Sequence, residues 1–436
     1  GDCRPCEAAV ECDDGDICTA DSCDQEVCRF RPVVPDFDED TFGAKICGGD
    51  DCDDEDELTY PGAPRRCGRA VDHDCDGITD DVQGCGPCSG ATGLRPVPES
   101  SIDTGAVALF VVGAPPEQLQ PHEVFVAGTS TLSVYAVSPG EAAVPIGSPT
   151  EYPGMGPDSL WVVDDHVLVA DQGSSGQFLY AADDLRAGGA EPLASVGSEL
   201  AMVTAMYAGP QFAYLSSGSS AGSTALAATA TSSLPSLAEP AIALGSGHWR
   251  PCDSLIRASG PDGGWLFGAL GPAVAFAELD ATGAVVSGGF ALLAEGYGSD
   301  ADVTPELLLL AQGDRGIMVL EQGEVVSGAC CSGELDFLTL PQGCVDEGCH
   351  NAVSIAAVGE DRAVVQTYSN SSTPKTHVHL IDISDPTSMT VLDSEGMTDV
   401  QAIGYDLFVA GNVVYAAGSV PSTTEGMVDV LELECP

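Results

Sequence analysis

Positive charge is scarce in this chain. Only 14 Lys and Arg stand against 67 Asp and Glu, for a net charge of −53 at pH 7. Such a surplus repels phosphate backbones and anionic headgroups, which excludes nucleic-acid binding and adsorption to an anionic membrane. Long apolar runs are missing too, and no stretch approaches the roughly 18 residues that a membrane-spanning helix needs. The chain begins at Gly1 without a charged and apolar leader, so any export signal is expected to have been removed or left out.

Acid, cysteine and short β-forming runs are plentiful, and they are segregated. At 436 residues the chain exceeds one ordinary core, so two or more domains are expected. Of its 18 cysteines, 12 lie in the first 90 residues; the others are Cys252, Cys330, Cys331, Cys344, Cys349 and Cys435. A dense, even set in a small acidic segment reads as a disulfide framework formed in an oxidising compartment. Zinc is the rival, but carboxylate neighbours suit harder cations. Residues 1–34 hold six cysteines, spaced C-x5-C-x4-C-x4-C from Cys12 to Cys28. Residues 35–89 form an acidic module, residues 90–104 (GATGLRPVPESSIDT) read as a connector, and 105–436 is a third region.

That third region is built of strand–turn–strand units. EVFVAGTSTLSVYAVS (123–138), SLWVVDDHVLVADQ (159–172), WLFGALGPAVAFAELD (265–280), ELLLLAQGDRGIMVLEQ (306–322), HVHLIDIS (377–384) and DLFVAGNVVYAAG (406–418) are short apolar runs punctuated by Gly, Asp, Asn and Pro. About seven units of about 47 residues fit the four-stranded blades of a β-propeller. The fold class is therefore all-β, a seven-bladed propeller preceded by a disulfide-rich, mostly irregular module. The last strand (427–434) and the first (106–113) are expected to complete one blade, which would hide both edges. A sandwich of this length would be oversized, and no strict short period supports a solenoid.

The acidic module repeats one spacing: Asp36-x-Asp38-x-Asp40, Asp51-x-Asp53-x-Glu55 with Asp54 and Asp56, and Asp72-x-Asp74-x-Asp76. Carboxylates at alternate loop positions converge on a hard ion such as Ca²⁺, which takes six to eight oxygens at about 2.3–2.6 Å. In the third run Gly77 makes the turn, Ile78 offers its carbonyl, and Asp80 and Asp81 follow. The twelfth position is Gln83, where an EF-hand needs a bidentate glutamate, and no amphipathic helices flank the loop. A sensor is excluded. With 25 acidic residues in the first 90 and little to bury, calcium is expected to stabilise by offsetting repulsion. Asp14, Asp16 and Asp21 in CDDGDICTADSC are candidates for another ion, with an acidic disulfide-knotted spacer as the equal alternative.

The landmarks DFDEDTFG, CGGDDCDD, YPGAPRRC and VDHDCDGITDD resemble the MopE-type metal-binding repeat of bacterial surface proteins, a relative of thrombospondin type 3 calcium repeats. The resemblance covers residues 36–81 and carries Phe42 into the ligand set. Arg65 or Arg66 stands where that pattern has glutamate, and CGRAVDHDC carries one extra residue, which leaves the ion count open. THVHLIDISDPTSM (376–389) is similar to the LVIVD repeat of secreted bacterial propellers. Together these imply two or more Ca²⁺ ions, with copper as an alternative, and a secreted or surface location in a bacterium.

Other motifs carry less chemistry. His377 and His379 lie two apart on a strand, a spacing that suits copper or zinc, but they read better as polar residues on a wet blade face. Ser220 in GSSAG lacks the strand–turn–helix context of a nucleophile elbow and reads as a blade hairpin. His73 reads as a solvent-facing filler. The expected protein is non-catalytic: a calcium- and disulfide-stabilised stalk presents a propeller to protein or glycan at the cell surface. The alternatives are a subunit of a filament or envelope assembly, packing against copies of itself, and a hydrolase or lyase with its site in the central channel.

Overall fold

The structure is a computed structural model. It describes residues 12, 14–25, 27–38, 42–49 and 51–52 and most of 90–435; residues 53–89 and several blade loops, including 114–121, 245–253, 328–336 and 341–349, lie outside the described residues. The chain divides into two compact units, Gly1–Cys85 and Gly86–Pro436.

The second unit is a seven-bladed β-propeller; six blades are four-stranded antiparallel sheets in sequential order, and the seventh joins the last three strands to two short ones from earlier in the chain. The innermost strands of blades 1 to 7 are Ala108–Gly113, Pro157–Val163, Val203–Ala208, Ser254–Gly260, Asp300–Val303, His350–Val358 and Ile403–Ala410. Each quoted run supplies strands of one blade. Among the described residues no helix is long and apolar enough to cross a membrane.

The runs are continuously apolar because both faces of each sheet are buried between neighbouring blades. Seven apolar clusters fill the seven blade interfaces. In blade 2, Val167 and Val169 pack towards blade 1 beside Phe125 and Val134. The intervening Leu168 and Ala170 pack towards blade 3 beside Met206 and Leu215. Fully burying one such leucine is worth about 1.5–3 kcal/mol, and Leu168 is 0% exposed.

Ring closure differs from the expectation. Ala108–Gly113 does not pair with the last strand; it pairs with His122–Gly128 inside blade 1. The partner of Gly426–Glu434 comes from the expected connector: Gly93–Pro96 pairs with Leu431–Glu434, and Ile102–Asp103 pairs with Met427–Val428. Leu94 is buried among Val378, Leu407 and Leu433. The side chains of Arg95 and Glu432, opposite each other in register, form an ion pair. Ser100, fully buried, donates its hydroxyl towards the carbonyls of Ser138 and Glu141 in blade 1. Residues 90–104 are therefore the clasp of the ring.

In the first unit, Thr19–Asp24 and Val27–Pro32 form a hairpin. Its tight turn holds Gln25 at φ 51, the left-handed conformation that such turns require. Two disulfides, Cys12–Cys28 and Cys18–Cys47, interleave along the chain. Cys23, Cys52 and Cys435 are also disulfide-bonded. The cysteine framework expected from the spacing is present.

Candidate functional site

The first strands of all seven blades line a central cavity of about 300 Å³. An innermost strand is a sheet edge, so half of its main-chain N–H groups have no ladder partner. Side chains of the preceding blade supply acceptors at five of the seven seams. Met206 N–H donates to Ser159 Oγ at 3.1 Å, and Ala301 N–H to Ser254 Oγ at 3.3 Å. Ile355 N–H donates to Asp300 Oδ2 at 3.0 Å, Leu407 N–H to Ser354 Oγ at 3.1 Å, and Val111 N–H to Asp406 Oδ2 at 3.0 Å. Asp302 adds a second link from blade 5 to blade 6, accepting Ala357 N–H at 2.7 Å.

Asp300, Ser354 and Asp406 each stand one residue before the donor of their own blade, and Ser159 and Ser254 take the equivalent place in blades 2 and 4. Phe110 and Ala205, at that position in blades 1 and 3, have no side-chain acceptor to offer. In blades 1, 2, 3, 6 and 7 a one-residue register shift falls immediately before this position. A β-bulge re-aims the next side chain, which here turns the acceptor towards the neighbouring blade.

Asp300 is the hub of the network. Its Oδ2 also accepts the Ser354 hydroxyl at 2.7 Å, so Leu407 N–H, Ser354 and Asp300 form a relay across three blades. Burial pushes the Asp302 carboxyl up to about 7 and the Asp406 carboxyl up to about 8, with the charge of Asp300 adding to both. Burial raises Asp300 as well, against hydroxyl bonds from Ser254 and Ser354. Across the cavity the wall is apolar, with Phe110, Trp161, Met206 and Phe408. Among the described lining residues there is no histidine, lysine or cysteine, and the carboxylates are engaged by main-chain donors.

Sequence reasoning missed Asp300, Asp302 and Asp406. The available signal was a Ser or Asp followed by an apolar residue near the start of successive units: Ser159-Leu160, Ser254-Leu255, Asp300-Ala301, Ser354-Ile355 and Asp406-Leu407.

His379 departs from the wet-face expectation. It is 2% exposed, with Nε2 2.9 Å from Thr367 Oγ1 and Nδ1 2.7 Å from Ser394 Oγ. His377 stacks beside it with ring centroids 6.0 Å apart. His379 thereby joins three strands of blade 6 through hydroxyl groups.

Part of the proposed calcium ligand set is described. Asp14, Asp16 and Asp21 gather around Thr19, whose hydroxyl lies 3.0 Å from Asp14 Oδ1 and 3.2 Å from Asp21 Oδ1. Asp16 N–H donates to Asp14 Oδ1 at 2.9 Å, and Asp14 N–H to Asp21 Oδ2 at 3.0 Å. Asp36 is exposed and Asp38 and Phe42 are half-buried. Asp51 is buried, its main chain bonded to Gly43 and Lys45. Among the described residues no three His, Cys, Asp or Glu side chains converge as a ready metal site. Asp40, Asp53, Asp54, Asp56, Asp72, Asp74, Asp76, Ile78, Asp80 and Asp81 lie outside the described residues, as do His73, Ser220 and Cys252.

No family model matches the chain, and no curated protein does. Matches are found among solved structures, 673 chains in all. One is a computationally designed protein, Ika8, in its crystal structure; it is 10% identical with a TM-score of 0.47, covering 78% of this chain and 100% of that one. That likeness carries no argument about function.

Proposed function

We propose that this is a secreted or cell-surface binding protein without catalytic activity, in which a disulfide-framed, calcium-loaded acidic module precedes a propeller that serves protein or glycan partners. The observation that carries the reading is how the carboxylates are used. Those in the channel accept main-chain N–H groups of the next blade, which makes the centre of the ring a structural hub and leaves its outer surfaces for recognition. Those of the N-terminal module crowd a segment framed by Cys12–Cys28 and Cys18–Cys47. An all-oxygen donor set of this kind fits a hard cation, and the resemblance to MopE-type repeats points to calcium. Asp14, Asp16, Asp36, Asp38 and Asp51, with the acidic residues of 53–81, would hold it. The disulfides and the calcium demand both suit an oxidising, calcium-rich exterior.

Limited proteolysis of the disulfide-intact protein, in calcium and then in EDTA, tests the reading. EDTA is expected to open 36–85 to cleavage and to leave the ring intact, with half-protection at calcium on the order of 10⁻⁴–10⁻³ M, as in extracellular modules. Protection of that segment unchanged by EDTA would sink the calcium role.

A further inference from the structure

Propeller blades end in outer edge strands, and among the described residues those of blades 1, 6 and 7 are blunted. Blade 1 ends in Val144–Glu151, which carries Pro145, Pro149 and a terminal glutamate. Blade 6 ends in Thr390–Gly396 with Asp393 and Glu395, and blade 7 in Gly93–Pro96 with Arg95 and Pro96. Short length, charge and proline are the usual devices that keep an edge from pairing with another chain. Blade 4 uses none of them. Its outer strand, Val285–Leu292, is eight residues of VVSGGFAL, and among the described residues nothing pairs with its outer side. Val286 and Leu292 are 61% and 64% exposed.

We infer that the outer strand of blade 4 is a docking edge for a basic, extended peptide segment of a partner protein, which joins the sheet as a fifth strand. Strand addition takes its affinity from main-chain hydrogen bonds and its selectivity from alternate side chains. Charge identifies the occupant. A chain of net charge −53 repels a second copy of itself and attracts a cationic partner. The sheet row ending at this edge runs Trp265, Glu278, Ser287, and Ser287 donates its hydroxyl to Glu278 Oε2 at 2.8 Å. Trp265 also lines a hollow of about 390 Å³ with Glu306 and Glu321. An indole beside carboxylates suits a Lys or Arg side chain, by charge and through the ring face. The inference rests on the reading of the ring as an interaction platform and names its surface and partner class.

The probe is a fluorescent peptide of alternating Lys and Val, titrated into the full chain in calcium and read by anisotropy. Its control has the same sequence with alternate main-chain nitrogens methylated, which keeps the charge and removes strand pairing. The unmodified peptide is expected to bind, the methylated one to lose binding, and Val286→Lys to weaken binding by about tenfold or more. Val286 is exposed, so far-UV circular dichroism of V286K is expected to match the parent. Equal binding of both peptides, or binding untouched by V286K, overturns the edge and leaves the platform reading standing. A dimer of the parent protein that V286K dissolves also overturns the inference, because the edge then serves a second copy. Insensitivity of residues 36–85 to EDTA would fail the calcium reading without touching this one.

Discussion

Asp406, on the innermost strand of the last blade, accepts the main-chain N–H of Val111 on the innermost strand of the first at 3.0 Å. This bond closes the ring from inside, where the two ends of the propeller sequence meet. Burial outweighs the main-chain amides that this carboxylate accepts, and with the charge of Asp300 it pushes the carboxyl up to about 8.

Substituting Asp406 by Asn keeps an oxygen for Val111 N–H and removes the charge. The folded state holds this proton more tightly than the unfolded chain, whose carboxyl titrates near 3.8. The stability linked to the group is therefore complete below about pH 4. It is lost as pH rises through about 7 for Asp302 and about 8 for Asp406. Thermal unfolding of the ring is expected to show a higher midpoint at pH 5 than at pH 9. D406N should raise the midpoint at pH 9 and flatten the slope, while D406L should lower it at pH 5, by about 1–3 kcal/mol for the orphaned amide. A midpoint that rises from pH 5 to pH 9 in the parent would contradict this account.

Closure from outside depends on Leu94. It is 4% exposed, and its N–H donates to Asp393 Oδ2 of blade 6 at 2.8 Å. Leu94→Ala removes buried carbon and is expected to cost about 2–5 kcal/mol. Leu94→Glu places a charge in the same apolar site and should release the strand altogether. Hydrogen exchange reads the difference: in L94E, amides of Gly426–Glu434 should exchange faster while those of blade 3 stay protected. Uniform protection across blade 7 in L94E would show that the clasp is dispensable.

The contrast between these positions shows what a sequence displays. Runs such as Leu307–Ala311 are legible because burial on both faces demands unbroken apolar residues whatever the partner. Gly93–Pro96 is not legible, because Gly and Pro at the two ends of a four-residue stretch carry turn chemistry; tertiary pairing with Leu431–Glu434 overrides it. Asp300, Asp302 and Asp406 are hidden for a different reason. A lone aspartate in a short apolar strand looks the same whether it faces water or an unpaired amide of the next blade, and only closure of the ring decides. His379 was misread likewise: strand periodicity gives the face, and the packing of Thr367 and Ser394 decides whether that face is wet.

The two disulfides of the N-terminal module interleave, with Cys18 inside the loop closed by Cys12–Cys28 and Cys47 outside it. Sequence separations of 16 and 29 residues correspond to about 3 and about 3.6 kcal/mol of loop-closure entropy withheld from the unfolded state. The joint variant Cys18→Ser, Cys47→Ser is expected to lose protease resistance in residues 12–52 and to require more calcium to regain it, because ligand binding and cross-linking restrict the same chain. Peptide mapping after trypsin, across a calcium series, measures the shift. An unchanged calcium midpoint would separate the disulfides from metal binding.

Arg186 and Glu123 join blade 2 to blade 1 on the outer side of their interface. Arg186 Nε lies 2.9 Å and 3.0 Å from the two carboxylate oxygens of Glu123, and Nη2 lies 2.6 Å from one of them. Both side chains are about one-fifth exposed, and Asp183 takes Nη1 at 2.6 Å. Lysine cannot reproduce the planar fork, so Arg186→Lys is expected to be nearly as damaging as Arg186→Met. Charge-assisted hydrogen bonds of this kind are worth about 1.5–3 kcal/mol before solvent screening, and partial exposure brings the expected coupling to about 1 kcal/mol. A double-mutant cycle of R186M and E123Q, followed by urea unfolding of the ring, measures that coupling directly. The half-buried geometry also predicts that the coupling persists in 1 M salt, where ion pairs on the open surface are screened out; loss of the coupling at that ionic strength would show that solvent reaches the pair.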